Sequence, residues 1–238
     1  MNFGLLGFPL GHSFSEKYFT EKFSSDKRFS GWTYKNFQSE NIETFLNQYG
    51  RKLDGFNVTI PYKTQIIPYL DNISDEAREI GAVNCVKNSG GNLIGYNTDA
   101  MGFKSSLLPF LNDACIEYAL ILGSGGASKA IRYVLKQLNI NYDIVSRSGE
   151  INYGNIDLKL KKCRLIVNTT PLGMYPAISD KPDINYNMIN NEYYLYDLVY
   201  NPEKTAFLKE GEIHGCHIKS GTEMLYLQAD KSLQIWIS

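Results

Sequence analysis

Tyr118-Ala-Leu-Ile-Leu122 running into Gly123-Ser-Gly-Gly-Ala-Ser128 is the stretch on which the fold turns. A short apolar run bounded by glycine reads as a strand buried on both faces, and the amphipathic pattern over 126–138 reads as a helix. A second strand over 142–146 completes a strand, glycine turn, helix and strand within about thirty residues, the span of one βαβ unit. In that setting the glycines have a purpose. Gly123 permits a tight turn, Gly125 and Gly126 let the backbone approach a pyrophosphate, and the helix N-terminus offers unpaired N–H groups and partial positive charge. Ser128 stands where this dinucleotide-binding pattern has its third Gly or Ala.

Which dinucleotide fits depends on the end of the second strand. An NAD site offers an acid there, about 20 residues on, to hold the ribose 2′-hydroxyl. Here Ser146-Arg147-Ser148 stands twenty-three residues after Gly123. A guanidinium flanked by hydroxyls suits a 2′-phosphate, which favours NADP. The competing reading makes Arg147 a solvated loop cation and Glu150 the ribose acid.

Outward from this unit, apolar strand-like runs alternate with helical ones along the whole chain. Strands are expected at 3–7, 32–37, 56–60, 85–87, 93–96, 118–122, 142–146, 164–168, 193–198 and 216–219, and helices at 15–23, 42–49, 100–108, 126–138, 204–210 and 222–237. Ser74 ahead of Asp75 and Glu76 reads as a further helix cap, and Asn88-Ser-Gly-Gly-Asn92 as the turn of a hairpin. Such alternation means an α/β fold with mainly parallel strands, because parallel neighbours need a crossover. The 222–237 helix is too apolar on one face to stand alone and must pack back on the rest.

Composition narrows the function. With 43% hydrophobic residues and 24 Lys plus Arg against 25 Asp plus Glu, the 238-residue chain is a folded protein. A net charge of −1 gives no global case for nucleic acid or an anionic membrane. The four cysteines are dispersed, without a C-x-x-C pair, and are expected as reduced thiols. No basic n-region precedes the interrupted apolar start, and no run reaches the ~18 apolar residues of a membrane span, so a cytoplasmic protein is expected. His214-Gly-Cys-His217 is short of a four-ligand zinc set and reads as loop and strand start, so no metal is expected.

In the first hundred residues, Gly55-Phe-Asn-Val-Thr-Ile-Pro-Tyr-Lys63 is a strand whose polar residues gather at its end, with Pro61 suited to the first turn of a helix. Ligands in open α/β sheets bind beyond the carboxyl ends of strands, so Asn57, Thr59 and Lys63 are expected to project there. Gly81-Ala-Val-Asn84 and Asn97-Thr-Asp99 bracket the hairpin and add an amide and a carboxylate.

Together with Gly7-Phe-Pro-Leu-Gly-His-Ser-Phe-Ser15, these motifs make the chain resemble the shikimate dehydrogenase family over nearly its full length. The opening pattern G-x-P-x-x-H-S-x-S-P is matched at Gly7, Pro9, His12, Ser13 and Ser15, with Glu16 in place of the final Pro. N-V-T-x-P-x-K is matched from Asn57 to Lys63, and G-A-V-N at 81–84. D-N-T-D becomes Tyr96-Asn97-Thr98-Asp99, without its first acid. Ser146-Arg147-Ser148 resembles N-R-T, Asn168-Thr-Thr-Pro171 resembles N-A-T-P, and Asp197-Leu-Val-Tyr-Asn-Pro202 resembles D-x-x-Y-x-P. Gly221, Met224, Leu225 and Gln228 resemble G-x-x-M-L-x-x-Q.

The resemblance implies NADPH-dependent, reversible reduction of 3-dehydroshikimate to shikimate in aromatic amino-acid biosynthesis. It implies two α/β domains flanking a cleft: a substrate domain at 1–99 plus 222–238 and a Rossmann-like NADP domain at 100–221. Lys63 and Asp99 would be the catalytic pair, an electrostatic clamp in which the ammonium polarises the carbonyl oxygen and gives it a proton. Ser13, Ser15, Thr59, Asn84, Tyr200 and Gln228 would contact substrate, the two serines at its carboxylate. Gly123, Gly125, Gly126, Ala127, Arg147, Thr169 and Gly221 would carry the cofactor. A monomer or homodimer is expected. Family members commonly continue beyond the Gln228 helix with another, so a different domain edge is expected here. Two alternatives stay open: a dehydrogenase of quinate or another ring hydroxy acid, and a non-catalytic sensor of NADP or a metabolite.

Overall fold

The computed structural model describes residues 1–10 and 13–238; His12 lies outside the described residues. The chain forms two compact units, Met1–Thr98 with Ala229–Ser238, and Asp99–Gln228.

The first unit holds a six-stranded sheet of β1 (Asn2–Gly7), β2 (Thr33–Gln38), β3 (Gly55–Val58), β4 (Asn72–Ile73), β5 (Cys85–Ser89) and β6 (Asn92–Tyr96), in the order β2-β1-β3-β5-β6-β4. β5 runs against its neighbours and the other pairs are parallel. Alternation along β1 distributes its side chains between two cores. Leu6 joins Phe45, Phe56, Val58 and Leu93 on the face covered by α2 (Ile42–Gln48). Phe3 and Leu5 join Phe19 and Phe23 of α1 (Phe14–Ser25) with Leu233 and Trp236 of the final helix. Ser74 caps α3 (Asp75–Ile80) by accepting from the Ala77 N–H at 3.2 Å.

The second unit is a five-stranded, all-parallel sheet of β7 (Tyr118–Leu122), β8 (Asn141–Val145), β9 (Leu165–Asn168), β10 (Tyr194–Asp197) and β11 (His217–Ser220). Its order, β11-β10-β9-β7-β8, reverses direction between β7 and β9, the switch point at which open α/β sheets bind ligands. Helices α4 (Asp99–Leu111), α5 (Gly126–Gln137), α6 (Asp157–Leu160) and α7 (Ala206–Ile213) belong to this unit. Leu120, Leu122, Val145, Ile166, Leu195 and Phe207 lie in its core.

The last helix, α8 (Thr222–Ile237), contributes residues to both units, dividing at Gln228/Ala229. One continuous helix has two differently partnered stretches, so the compact-unit boundary falls seven residues beyond the Gly221 at which the sequence suggests a break. Three local expectations are corrected. Pro61 opens no helix: residues 60–66 form turns, with the Tyr62 N–H on the Thr59 carbonyl at 2.8 Å. The cap of α1 is Ser13, two residues before the expected start. Helix α4 runs past 108 and carries Pro109 within its last turn. Among the described residues no helix is long and apolar enough to cross a membrane.

Candidate active site

The glycine turn sits at the switch point of the parallel sheet. Gly123 has φ +108°, a conformation L side chains rarely adopt, and a Cβ there would lie 2.7 Å from Thr169 Oγ1. Thr169 follows β9, and both its N–H and its hydroxyl donate to the Leu122 carbonyl at 2.8 Å, which locks the ends of β7 and β9 together. Gly125 is the N-cap of α5, with no side-chain cap and open space where a Cβ would stand. The first N–H groups of α5 therefore face an uncrowded approach, the arrangement that receives a phosphate. Ser128, in place of the third glycine, is buried and donates to the Gly125 carbonyl at 2.6 Å, so it closes the turn.

Arg147 is exposed just beyond β8, the strand next to β7, and Glu150 is exposed in the same turn. The Arg147 charge reaches the half-buried Tyr153 and partly offsets the burial that raises that phenol's pKa. Gly123, Gly125, Gly126, Ala127 and Thr169 are thus one cluster at β7, with Arg147 one strand away. Gly221 is not part of it. It follows β11, three strand spacings from β7 or about 14 Å. A Cβ there would lie 2.3 Å from the Leu198 carbonyl oxygen, so its glycine is required by close backbone approach.

At the end of β10, the Asp197 carboxylate is buried and accepts from Thr205 Oγ1 at 2.6 Å, the Val199 N–H at 3.0 Å and Asn168 Nδ2 at 3.0 Å. Burial outweighs these bonds and raises its pKa to about 6. This carboxylate ties the β9 end to the loop holding half-buried Tyr200. Gln228 on α8 is 8% exposed and donates to the Leu225 carbonyl. His217 is a ring partner of Tyr194, 4.4 Å between centroids, and among the described residues no His, Cys, Asp and Glu grouping could hold a metal.

In the first unit, topology gathers the polar motifs on one sheet edge. β1, β2 and β3 all end there. β5 is antiparallel and so starts there, with Cys85 opposite Asn57, and β6 ends there with Tyr96 opposite Cys85. Thr59, Asn84 and Thr98 consequently meet at that edge, with Asp99 next in sequence. The Asn84 amide holds Thr98 twice, accepting from its N–H at 2.6 Å and donating to its hydroxyl at 2.9 Å. Lys63 is half-buried, and its carbonyl takes the Val83 N–H at 2.7 Å, which fixes the turn after β3. Asp99 is 6% exposed and opens α4, where the helix dipole favours an anion. Lys63 belongs to one compact unit and Asp99 to the other.

Asn57 departs from expectation. Instead of projecting from the edge it is buried, accepts from the Tyr34 hydroxyl at 2.8 Å, and donates to the Asn84 carbonyl and Ser232 Oγ. Asn36, in β2, was silent in the sequence because nothing local marks a polar residue in a strand. Its Oδ1 receives the Ser13 hydroxyl at 2.7 Å, its Nδ2 donates to Glu16 Oε2 at 2.8 Å, and its backbone N–H reaches Glu16 Oε1 at 3.3 Å. Ser13 Oγ also caps α1 by accepting the Glu16 N–H at 3.1 Å. Ser15 is half-buried one residue into the helix.

An open parallel sheet with a glycine turn at its switch point, an uncapped helix start beside it and an arginine after the neighbouring strand defines a dinucleotide-binding α/β protein. Its particular kind follows from comparison. The family described as "Shikimate dehydrogenase substrate binding domain" matches residues 5–86. A shikimate dehydrogenase (NADP(+)) of Clostridium beijerinckii is 39% identical, across 98% of this chain and 91% of that protein. The crystal structure of shikimate dehydrogenase 1 from Peptoclostridium difficile superposes with a TM-score of 0.87 at 37% identity, covering 99% of this chain and 91% of that one. The Thermus thermophilus shikimate 5-dehydrogenase, solved with NADP(H) and shikimate, gives 0.83 at 29% identity over 99% and 93%. The chain belongs to the shikimate dehydrogenase family.

Proposed function

We propose that this chain reversibly reduces 3-dehydroshikimate to shikimate with NADPH. The observation that carries this is end-to-end similarity to NADP(+) shikimate dehydrogenases, at 39% identity over 98% of the chain. NADP fits the residues present: the open N-cap at Gly125, the cradle bounded by Gly123 and Thr169, and the exposed Arg147 for a 2′-phosphate. When bound, the cofactor supplies the hydride.

The remaining work falls to side chains. Hydride arrival at a carbonyl carbon leaves negative charge on its oxygen, which needs a cation and then a proton. Lys63 supplies both, and the Val83 bond to its carbonyl fixes where its side chain starts. Asp99, held at the head of α4 directly after the clamped Thr98, orients the ammonium and accepts from a ring hydroxyl. Thr59, Asn84, Tyr200 and Gln228 hold the ring oxygens, and the serine pair at the start of α1 faces the carboxylate. Residues 1–98 with 229–238 form the substrate domain and 99–228 the cofactor domain, a division supported by the placement of the glycine turn in the latter. We read the location as cytoplasmic, in keeping with free Cys85, Cys115, Cys163 and Cys216. The assembly is a monomer or homodimer, which light scattering decides.

The test is steady-state NADP reduction with shikimate and, in parallel, quinate, for the parent and Lys63→Ala. Shikimate should be the better substrate. The variant should bind NADP normally while kcat falls by about 10³ or more, the scale of losing the proton donor together with charge stabilisation. Unaltered kcat would remove Lys63 from the mechanism, and quinate turnover exceeding shikimate would reassign the substrate.

A further inference from the structure

Ser13-Phe-Ser-Glu16 has the S-x-x-E form of a capping box, in which the glutamate would reach back to the cap's own N–H. In the structure the Glu16 side chain instead crosses to β2 and engages Asn36 with both oxygens, on its backbone N–H and on Nδ2. That choice has a directional consequence. A carboxylate only accepts hydrogen bonds, so it fixes the Asn36 amide with Nδ2 toward Glu16 and Oδ1 toward Ser13. Oδ1 cannot donate. The Ser13 hydroxyl must therefore give its single proton to Asn36, while its oxygen takes the Glu16 N–H.

We propose that Glu16, acting through Asn36, is a specificity-determining residue that withholds the Ser13 proton from the substrate carboxylate. The inference rests on the reading that the start of α1 faces the carboxylate. Ser13 then serves as helix cap and strand tie. Glu16 also contributes its own charge to the neighbourhood of a bound anion. Both effects lower affinity for an acidic ring, and both arise from an acid at a position where the family's opening motif carries proline.

Glu16→Gln separates them. The amide keeps its oxygen for the Asn36 N–H but presents Nε2 where Oε2 stood, so Asn36 turns over, offers Nδ2 to Ser13 Oγ and releases the Ser13 proton. In shikimate oxidation at saturating NADP, KM for shikimate should fall about tenfold in this isosteric variant, the worth of one hydrogen bond to a charged group, with the change in KM far exceeding that in kcat. Made on a Ser13→Ala background, Glu16→Gln should lower KM distinctly less, because only the charge effect remains there. An unchanged or raised KM in Glu16→Gln would overturn the proposal. So would a gain of equal size with and without Ser13, since it would then come from charge removal alone. Circular dichroism and Tm of each variant register a fold defect separately. Absence of shikimate turnover in the parent would instead defeat the functional reading.

Discussion

Asp197 is a carboxylate whose surroundings decide its charge. Three donors hold it, yet burial is the larger influence and its pKa stands at about 6 against an ordinary 3.8. The folded protein thus binds this proton more tightly than the unfolded chain does. Its contribution to stability is complete below about pH 4 and is lost as pH rises through 6, an effect of at most roughly 3 kcal/mol. Urea unfolding measured from pH 4 to 7 should show this decline, and Asp197→Asn should flatten it; an equal slope in the variant would assign the titration to another group. The same penalty on a buried anion applies to the cysteines. Burial pushes the Cys85 and Cys163 thiols up to about 12 and Cys216 to about 11, which leaves them inert packing, while Cys115 is exposed.

At the scale of elements, the end of β8 is where a cofactor preference is expected to lie, because the start of α5 takes a pyrophosphate whichever dinucleotide carries it. Arg147→Ala should raise KM for NADP about tenfold or more with little effect on NAD, the loss expected for one guanidinium–phosphate contact. Equal effects on both cofactors would show Arg147 to be a general surface charge. How legible such elements were depended on where their determinants lie. The glycine turn carries all its information locally, and α8 was readable to both its limits because sixteen residues keep one amphipathic pattern. β4 has two residues and α6 four, too few for any period to register. Two serines competed to cap α1. Ser13 prevails because its hydroxyl also finds Asn36, a partner twenty-three positions away that no local pattern announces. For the same reason the candidate site was readable as motifs, whereas the hydrogen bonds that turn Asn57 inward were not.

For the molecule as a whole, the decisive element is α8, whose last turns complete the core of the first unit. Trp236 stacks on Phe3 at 4.6 Å and donates its indole N–H to the Val86 carbonyl at 3.0 Å, and Leu233 is buried in the same cluster. Trp236→Ala should therefore destabilise by about 3–5 kcal/mol in equilibrium unfolding, the range for emptying a large aromatic site. A loss under about 1 kcal/mol, far below that range, would mean the first unit is self-sufficient without the helix. This arrangement also sets an order of events during synthesis. Residues 99–228 are contiguous and can close their parallel sheet as they emerge. The first unit, although its strands are made earlier, has Asn57 waiting for Ser232 and Phe3 waiting for Trp236 across more than half the chain. Its aromatic face stays open to solvent for most of translation, so the nascent chain is most exposed to aggregation and to chaperone capture through its oldest residues.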